Sequence, residues 1–195
     1  MDAACAMRSS SEDQEVDDEC HAELVASVRE RFGRAVSRAM ENPYALGTHQ
    51  DGIVDFAQGA LDHGGGRREE DNGAPPDGMS DVEIVDTFVL ELGSLFGQGG
   101  VDASAVDDGE ATSGFVRLRL APFQDDPETF EAEFELWEHM FEVYNVLLLP
   151  GMLNNETHPG TFYACPLGRS EDALITGIDR LQRQLMQRKL LHGRW

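Results

Sequence analysis

The chain carries one lysine, Lys189, and the other fourteen of its fifteen basic side chains are arginines. Chemistry that needs a Schiff-base amine therefore has one candidate here, in the basic, helix-patterned tail QRQLMQRKLLHGRW, unless another chain lends one. Six histidines (His21, His49, His63, His139, His158, His192) form no i, i+4 pair and have no cysteine pair beside them, so the ligand spacing of a zinc site is missing. His139 reads as a surface or packing residue of a helix, and His158, before Pro159, as a loop residue. Cys5, Cys20 and Cys165 are an odd, widely spaced set that implies no disulfide framework. Cys165 has no basic neighbour in sequence and reads as a buried thiol rather than a nucleophile. Gly64-Gly65-Gly66 lacks the helix and lysine that follow a phosphate-binding loop, and the acid run from Glu12 to Glu19 lacks the spacing and glycine of a calcium loop. From residue types alone, no catalytic, cofactor-binding or metal-binding residue is assigned.

Charge narrows the partners. With 37 acidic against 15 basic side chains, the formal net charge is −22. Such a surface opposes the phosphate contacts behind nucleic-acid affinity and is repelled by anionic lipid headgroups, so neither nucleic acid nor membrane is an expected partner. The longest strongly apolar stretch, Val146 to Leu149, is far too short to span a bilayer, and the start has no apolar run of signal-peptide length. A cytoplasmic location is the expectation.

Four segments position these residues. Residues 1–20 are small, polar and acidic and read as a disordered arm. Residues 21–61 hold a helix with an apolar face of Leu24, Val25, Val28, Phe32, Val36 and Met40, stopped by Asn42-Pro43, then a short extended stretch over Gly52 to Ala57. Residues 62–113 are an acidic insertion rich in glycine and proline, with one helix over 81–96. From Asp62 to Glu110 it holds thirteen acids against two arginines, half of the chain's net charge. Its end, GQGGVDASAVDDGEATSG, reads as a loose connection.

Residues 114–195 are more regular. Phe115 to Leu120 alternates as a strand with one buried face. Asp126-Pro127 reads as a helix start, with Glu128, Glu131 and Glu133 complementing the N-terminal dipole. The helix's apolar face is Phe130, Phe134, Trp137, Phe141 and Tyr144, a stripe whose spacing favours core packing over a cofactor box. Val146 to Leu149 and Thr161 to Cys165 are short strands. Between them lies a polar loop, Asn154 to Thr157, flanked by Pro150-Gly151 and Pro159-Gly160, which reads as a hairpin connection or the lining of a cleft. Ser170 caps a last helix with Leu174, Ile178, Leu181 and Leu185 on one face. This order predicts an α+β fold, a small, mostly antiparallel sheet with helices packed on one face.

The run from Phe130 to Leu181 resembles the small-domain end of 1-aminocyclopropane-1-carboxylate synthases and related class I/II aminotransferases. The residues that carry the likeness are Gly114-Phe115, Glu131-Ala-Glu-Phe-Glu-Leu-Trp137, Asn145-Val146, Pro150-Gly151 and Pro159-Gly160-Thr-Phe-Tyr163, with a seven-residue gap between the two Pro-Gly pairs. Asn42-Pro43-Tyr44 followed by Asp51-Gly52-Ile53-Val54 is similar to the family's N-terminal motif. The resemblance implies the small domain of a fold-type I pyridoxal phosphate enzyme, built from the two ends of the chain.

It also marks what differs. Only 51 residues lie between Asp62 and Gly114, where the family's cofactor domain would need on the order of 200, and none of them is lysine. The arginine that the family pairs with the substrate carboxylate is Tyr163 here, and Gly59-Ala60-Leu61 stands at the A-E-N motif. The resemblance thus implies a truncated family member that binds no pyridoxal phosphate alone and is not catalytically competent alone. Alternatives are an interaction module on a full-length aminotransferase-like chain, as a homo- or hetero-oligomer, or half of a split enzyme.

Overall fold

A computed structural model describes residues 10–45, 49–57, 79–94, 102–105, 114–119 and 129–191. Helix α1 (Ser10–Glu41) starts well before His21, so residues 10–20 of the expected disordered arm are helical. Serine and acidic residues favour a helix N-terminus, and Ser10 to Cys20 contains no glycine or proline to stop one. The helix ends where Pro43 disfavours a helical Asn42. Its buried stripe is Val28, Phe32, Ala35 and Ala39, while Met40 is exposed, because small alanines rather than the larger residues face the core.

Strand β1 (Val54–Asp55) follows a tight turn. Gly52 is required there, since a Cβ on it would lie 2.4 Å from the Pro43 carbonyl oxygen. Helix α2 (Asp81–Ser94) opens with a capping box, the Ser80 amide donating to the Glu83 carboxylate (2.8 Å) and the Glu83 amide to Ser80 Oγ. The Ser80 amide, and with it the Ser80 hydroxyl, which also donates to this carboxylate, hold the Glu83 carboxyl below its usual range. The helix buries Ile84, Val85, Phe88 and Leu92, and leaves Val82 exposed. The other insertion residues from 62 to 78 lie outside the described residues, as do Asp126, Pro127 and Glu128.

Strand β2 (Asp102–Ala105) falls inside the segment expected to be a loose connection. Its sequence DASA has little strand propensity, so only pairing along a neighbour's edge reveals it. That neighbour is β3 (Val116–Arg119), which is antiparallel to it. Helix α3 (Phe130–Tyr144) is capped by Thr129, whose side chain accepts from the Ala132 amide. Phe134, Trp137 and Phe141 stack along its buried face, and Phe32 of α1 tilts onto Trp137, so the aromatic stripe is core.

The stretch Val146 to Leu149 divides into β4 (Val146–Leu147), parallel to β1, and β5 (Leu149–Pro150), antiparallel to β6 (Thr161–Ala164). The result is α+β, with two sheets rather than one among the described residues: a parallel β1-β4 pair and an antiparallel sheet ordered β2-β3-β6-β5. Helix α4 (Glu171–Leu191) follows Ser170, whose Oγ accepts from the Ala173 amide, and packs on β1 and β4. Both faces of β6 are buried. Phe162 and Ala164 lie beside Leu118 and Val116, while Thr161 and Tyr163 face the other way, beside Arg119 and Arg117, beneath the loop from residue 151 to 160.

Candidate functional site

The loop that leaves β5 is shaped by its own residues. Pro150 ends the strand, Gly151–Asn154 forms a 3-10 turn, and Asn155 adopts a left-handed conformation (φ 58°) that asparagine tolerates. The Glu156 amide then donates to the Gly151 carbonyl at 3.1 Å, closing the turn.

Beneath the loop sits Glu133 of α3, fully buried. Its carboxylate accepts from the Met152 amide (3.3 Å) and the Gly160 amide (2.7 Å), so one side chain ties both Pro-Gly segments together. Burial pushes the Glu133 carboxyl up, and the backbone donors of Gly160, Met152, Thr161 and Gly151 oppose that rise. The sequence reading placed Glu133 among the first-turn acids that complement the helix dipole; it does lie in the first turn, and its side chain is buried in the core as well. Residues 130, 133, 137 and 140 recur at helical spacing, and that stripe was the available signal.

Above the sheet the loop delivers Glu156 to the face of β3 and β6 that carries Arg117 and Tyr163. Tyr163 stands directly opposite Arg117 across the strand pair, with Leu149 on its other flank. Arg117 donates to Glu156 through Nε (2.9 Å) and an Nη (3.1 Å), a bidentate fork, and the Tyr163 hydroxyl donates to the same carboxylate. Burial and the hydrogen bond to Glu156 both raise the Tyr163 pKa. Burial works to lower that of Arg117, but the Glu156 carboxylate more than offsets this and raises it. The cluster is a charged arginine and a neutral phenol that already hold a carboxylate, that of Glu156. A tyrosine shifted above its ordinary range is a poor proton shuttle near neutral pH.

The structure thus brings together Tyr163 and the polar loop that the sequence singled out, and adds Arg117, which sequence reasoning left as a strand residue. Arg117 and Glu156 are 39 positions apart, and no local pattern links them. Lys189 falls in the last turn of α4. Cys165 is a partly buried free thiol whose pKa burial raises. His139 is exposed with its ring edge-on to Tyr144, and His158 is exposed as well. No group of three or more metal-ligating side chains occurs among the described residues. Among them, too, no helix is long and apolar enough to cross a membrane.

A groove of about 350 Å³ between α2 and α4 is lined by Ile84, Phe88 and Ile178 among others, with Glu91, Glu171 and Asp179 and no cation. Three carboxylates would repel the phosphate of pyridoxal phosphate, and at the Tyr163 site the one guanidinium fork is already engaged by Glu156. Neither place fits that cofactor.

The two motif-bearing ends of the chain are neighbours. Pro43 bridges Ile53, and the amides of Val54 and Phe56 donate to the carbonyls of Asn145 and Leu147 (both 2.9 Å). Arg180 of α4 donates to the carbonyls of Gln50 (2.6 Å), Gly52 (2.7 Å) and Asn145 (3.0 Å), which fastens the two segments to each other. Gly59-Ala60-Leu61 lies outside the described residues.

No protein-family model matches the sequence. Among curated proteins, the chain is 26% identical over 111 residues to 1-aminocyclopropane-1-carboxylate synthase 2 of Arabidopsis thaliana, covering 53% of this chain and 22% of that protein. Among solved structures, an aspartate aminotransferase from Rhodobacter sphaeroides matches 55% of this chain and 24% of its own, at a TM-score of 0.40 and 13% identity. The chain spans less than a quarter of either protein's length. Over about half of its own length, this chain resembles the aminotransferase-like family of the 1-aminocyclopropane-1-carboxylate synthases.

Proposed function

We propose that these 195 residues are a truncated small-domain relative of the 1-aminocyclopropane-1-carboxylate synthases that does not carry out pyridoxal phosphate chemistry by itself. One observation carries this reading. At the position where the resemblance implies a substrate-binding arginine, Tyr163 and its neighbour Arg117 are satisfied by the chain's own Glu156. A carboxylate substrate would have to displace a tethered competitor before it could bind. The position of the sole lysine, at the end of α4, supports the same reading.

An absorbance scan of the purified chain with one equivalent of pyridoxal phosphate tests it. The expected spectrum is that of free cofactor with no saturable visible band. A stoichiometric band that disappears in Lys189→Ala would overturn the reading.

A second reading, an interaction module docking on an aminotransferase-like chain, is favoured by the α2–α4 groove and by Ile175 at its lip, which is 59% exposed. Titration against such a chain by calorimetry should then give saturable heat that Ile175→Arg abolishes. No heat with either protein would exclude this reading for the chain tried.

A further inference from the structure

Helices α2 and α4 meet along apolar faces without filling the space between them. Ile84 and Phe88 of α2 and Leu174 of α4 are buried and form the floor of the groove, Ile178 is half-buried beside them, and Ile175 stands exposed at the lip. The α2 wall has the small Thr87 where a larger apolar side chain would fill the space of about 350 Å³. An apolar cavity of about 150 Å³ holds benzene, so this groove has room for a ring and an alkyl chain. The charged groups of the lining are of one sign. Glu91 and Glu171 are exposed and Asp179 is half-buried, and the lining has no lysine, arginine or histidine. Asp179 pairs with Arg183, one turn on (2.6 Å), but the carboxylates at the rim outnumber that cation, on a chain of net charge −22.

We propose that the α2–α4 groove binds a small amphiphilic amine, with an aryl-alkyl body on the apolar floor and a protonated amine at the carboxylate rim. Shape and charge each select one end of the ligand. Burial of the body supplies most of the affinity, and the exposed rim, where ion pairs are weak, supplies the preference for a cation. Amino acids fall outside this class, because their own carboxylate would join those of the rim. The volume is that of a small-ligand pocket, roughly 300–1,000 Å³, and favours such a molecule over a helix, which with its side chains is about 10 Å across. This goes beyond the docking reading of the same groove and needs no partner chain.

The probe is 4-phenylbutylamine, protonated at neutral pH as a lysine side chain is. Its binding to the full chain is read from the methyl signal of Met79, which lines the groove, in protein carrying ¹³C-methyl methionine, with the signal assigned by Met79→Leu. The expected result is a saturable shift with a Kd on the order of 0.1–1 mM, the range for a ligand of this size. The alcohol 4-phenylbutan-1-ol, with the same body, should bind on the order of fivefold more weakly, and 4-phenylbutyrate more weakly still. Ethylamine, the control for the general attraction of cations to this chain, should leave the signal in place. Glu91→Gln combined with Glu171→Gln should bring the amine down to the affinity of the alcohol and leave the alcohol unchanged. Thr87→Trp, which fills the groove from an exposed position, should abolish the shift, and the double glutamine variant, which keeps the groove's shape, decides the matter where the tryptophan disturbs the fold. Equal affinity for the amine and the alcohol would overturn the proposal, as would a Met79 signal that neither moves. A helical leucine–lysine peptide that moves Met79 where the amine does not would give the groove to a protein segment and overturn it too. No arm of the experiment contains pyridoxal phosphate or an aminotransferase-like chain, so failure here is distinct from failure of the family or docking readings.

Discussion

Replacing Glu133 by alanine should be among the most damaging single changes in the described fold. The carboxylate is fully buried and accepts from the amides of Met152 and Gly160. Deleting it leaves both donors without their acceptor. An orphaned buried donor costs about 1–3 kcal/mol, so two give about 2–6 kcal/mol. Part of this is returned, because the substitution also removes a carboxylate that burial disfavours. The net expectation is a loss of about 2–4 kcal/mol, a large part of the roughly 5–15 kcal/mol typical of a folded domain. Urea unfolding followed by far-UV circular dichroism and by tryptophan fluorescence measures it, since Trp137 is buried about one turn away on the same helix. The control is Glu135→Ala, an exposed glutamate in the same stretch, which should stay within about 0.5 kcal/mol of wild type. If the two variants lose the same stability, Glu133 does not clamp the loop and the account of the site's framework is wrong.

Two further outcomes follow from the same geometry. The Glu133 carboxyl is raised by burial, so between the ordinary carboxylate pKa and the raised one the native state holds more protons than the unfolded state. Stability then falls as pH rises through that window, and wild type should gain on Glu133→Gln as pH drops from neutral toward about 4.5, in paired urea titrations. An offset that is flat with pH would exclude a raised carboxyl. Gly177→Ala reverses the usual helix rule: a Cβ there would lie 2.4 Å from the Phe56 ring, so the variant should lose about 1–3 kcal/mol by thermal unfolding instead of gaining up to about 1 kcal/mol.

Much of the fold was legible because its strongest elements are locally consistent. The 3- and 4-residue spacing of Phe134, Trp137 and Phe141 names a buried helix face, and Pro43, Pro150 and Pro159 punctuate the chain where the structure turns. Strand β2 was not legible, because DASA has no side-chain pattern and exists as a strand only through β3. Thr129 caps α3 by its bond to the Ala132 amide, and the Asp126-Pro127 pair that stood out in sequence lies outside the described residues. The candidate site was half legible. Tyr163 was marked by the motif around it, but its partners were not, since the bond between Arg117 and Glu156 is made by tertiary structure alone.

The central claim, that these residues do not sustain pyridoxal phosphate chemistry by themselves, is tested most directly by covalent trapping. Purified chain and its Lys189→Ala variant are incubated with one equivalent of pyridoxal phosphate, reduced with borohydride and weighed intact. The account predicts substoichiometric labelling of wild type with no saturable visible band before reduction. One label per chain, lost in Lys189→Ala and accompanied by a saturable band, would contradict it and make Lys189 the cofactor lysine of a self-sufficient site.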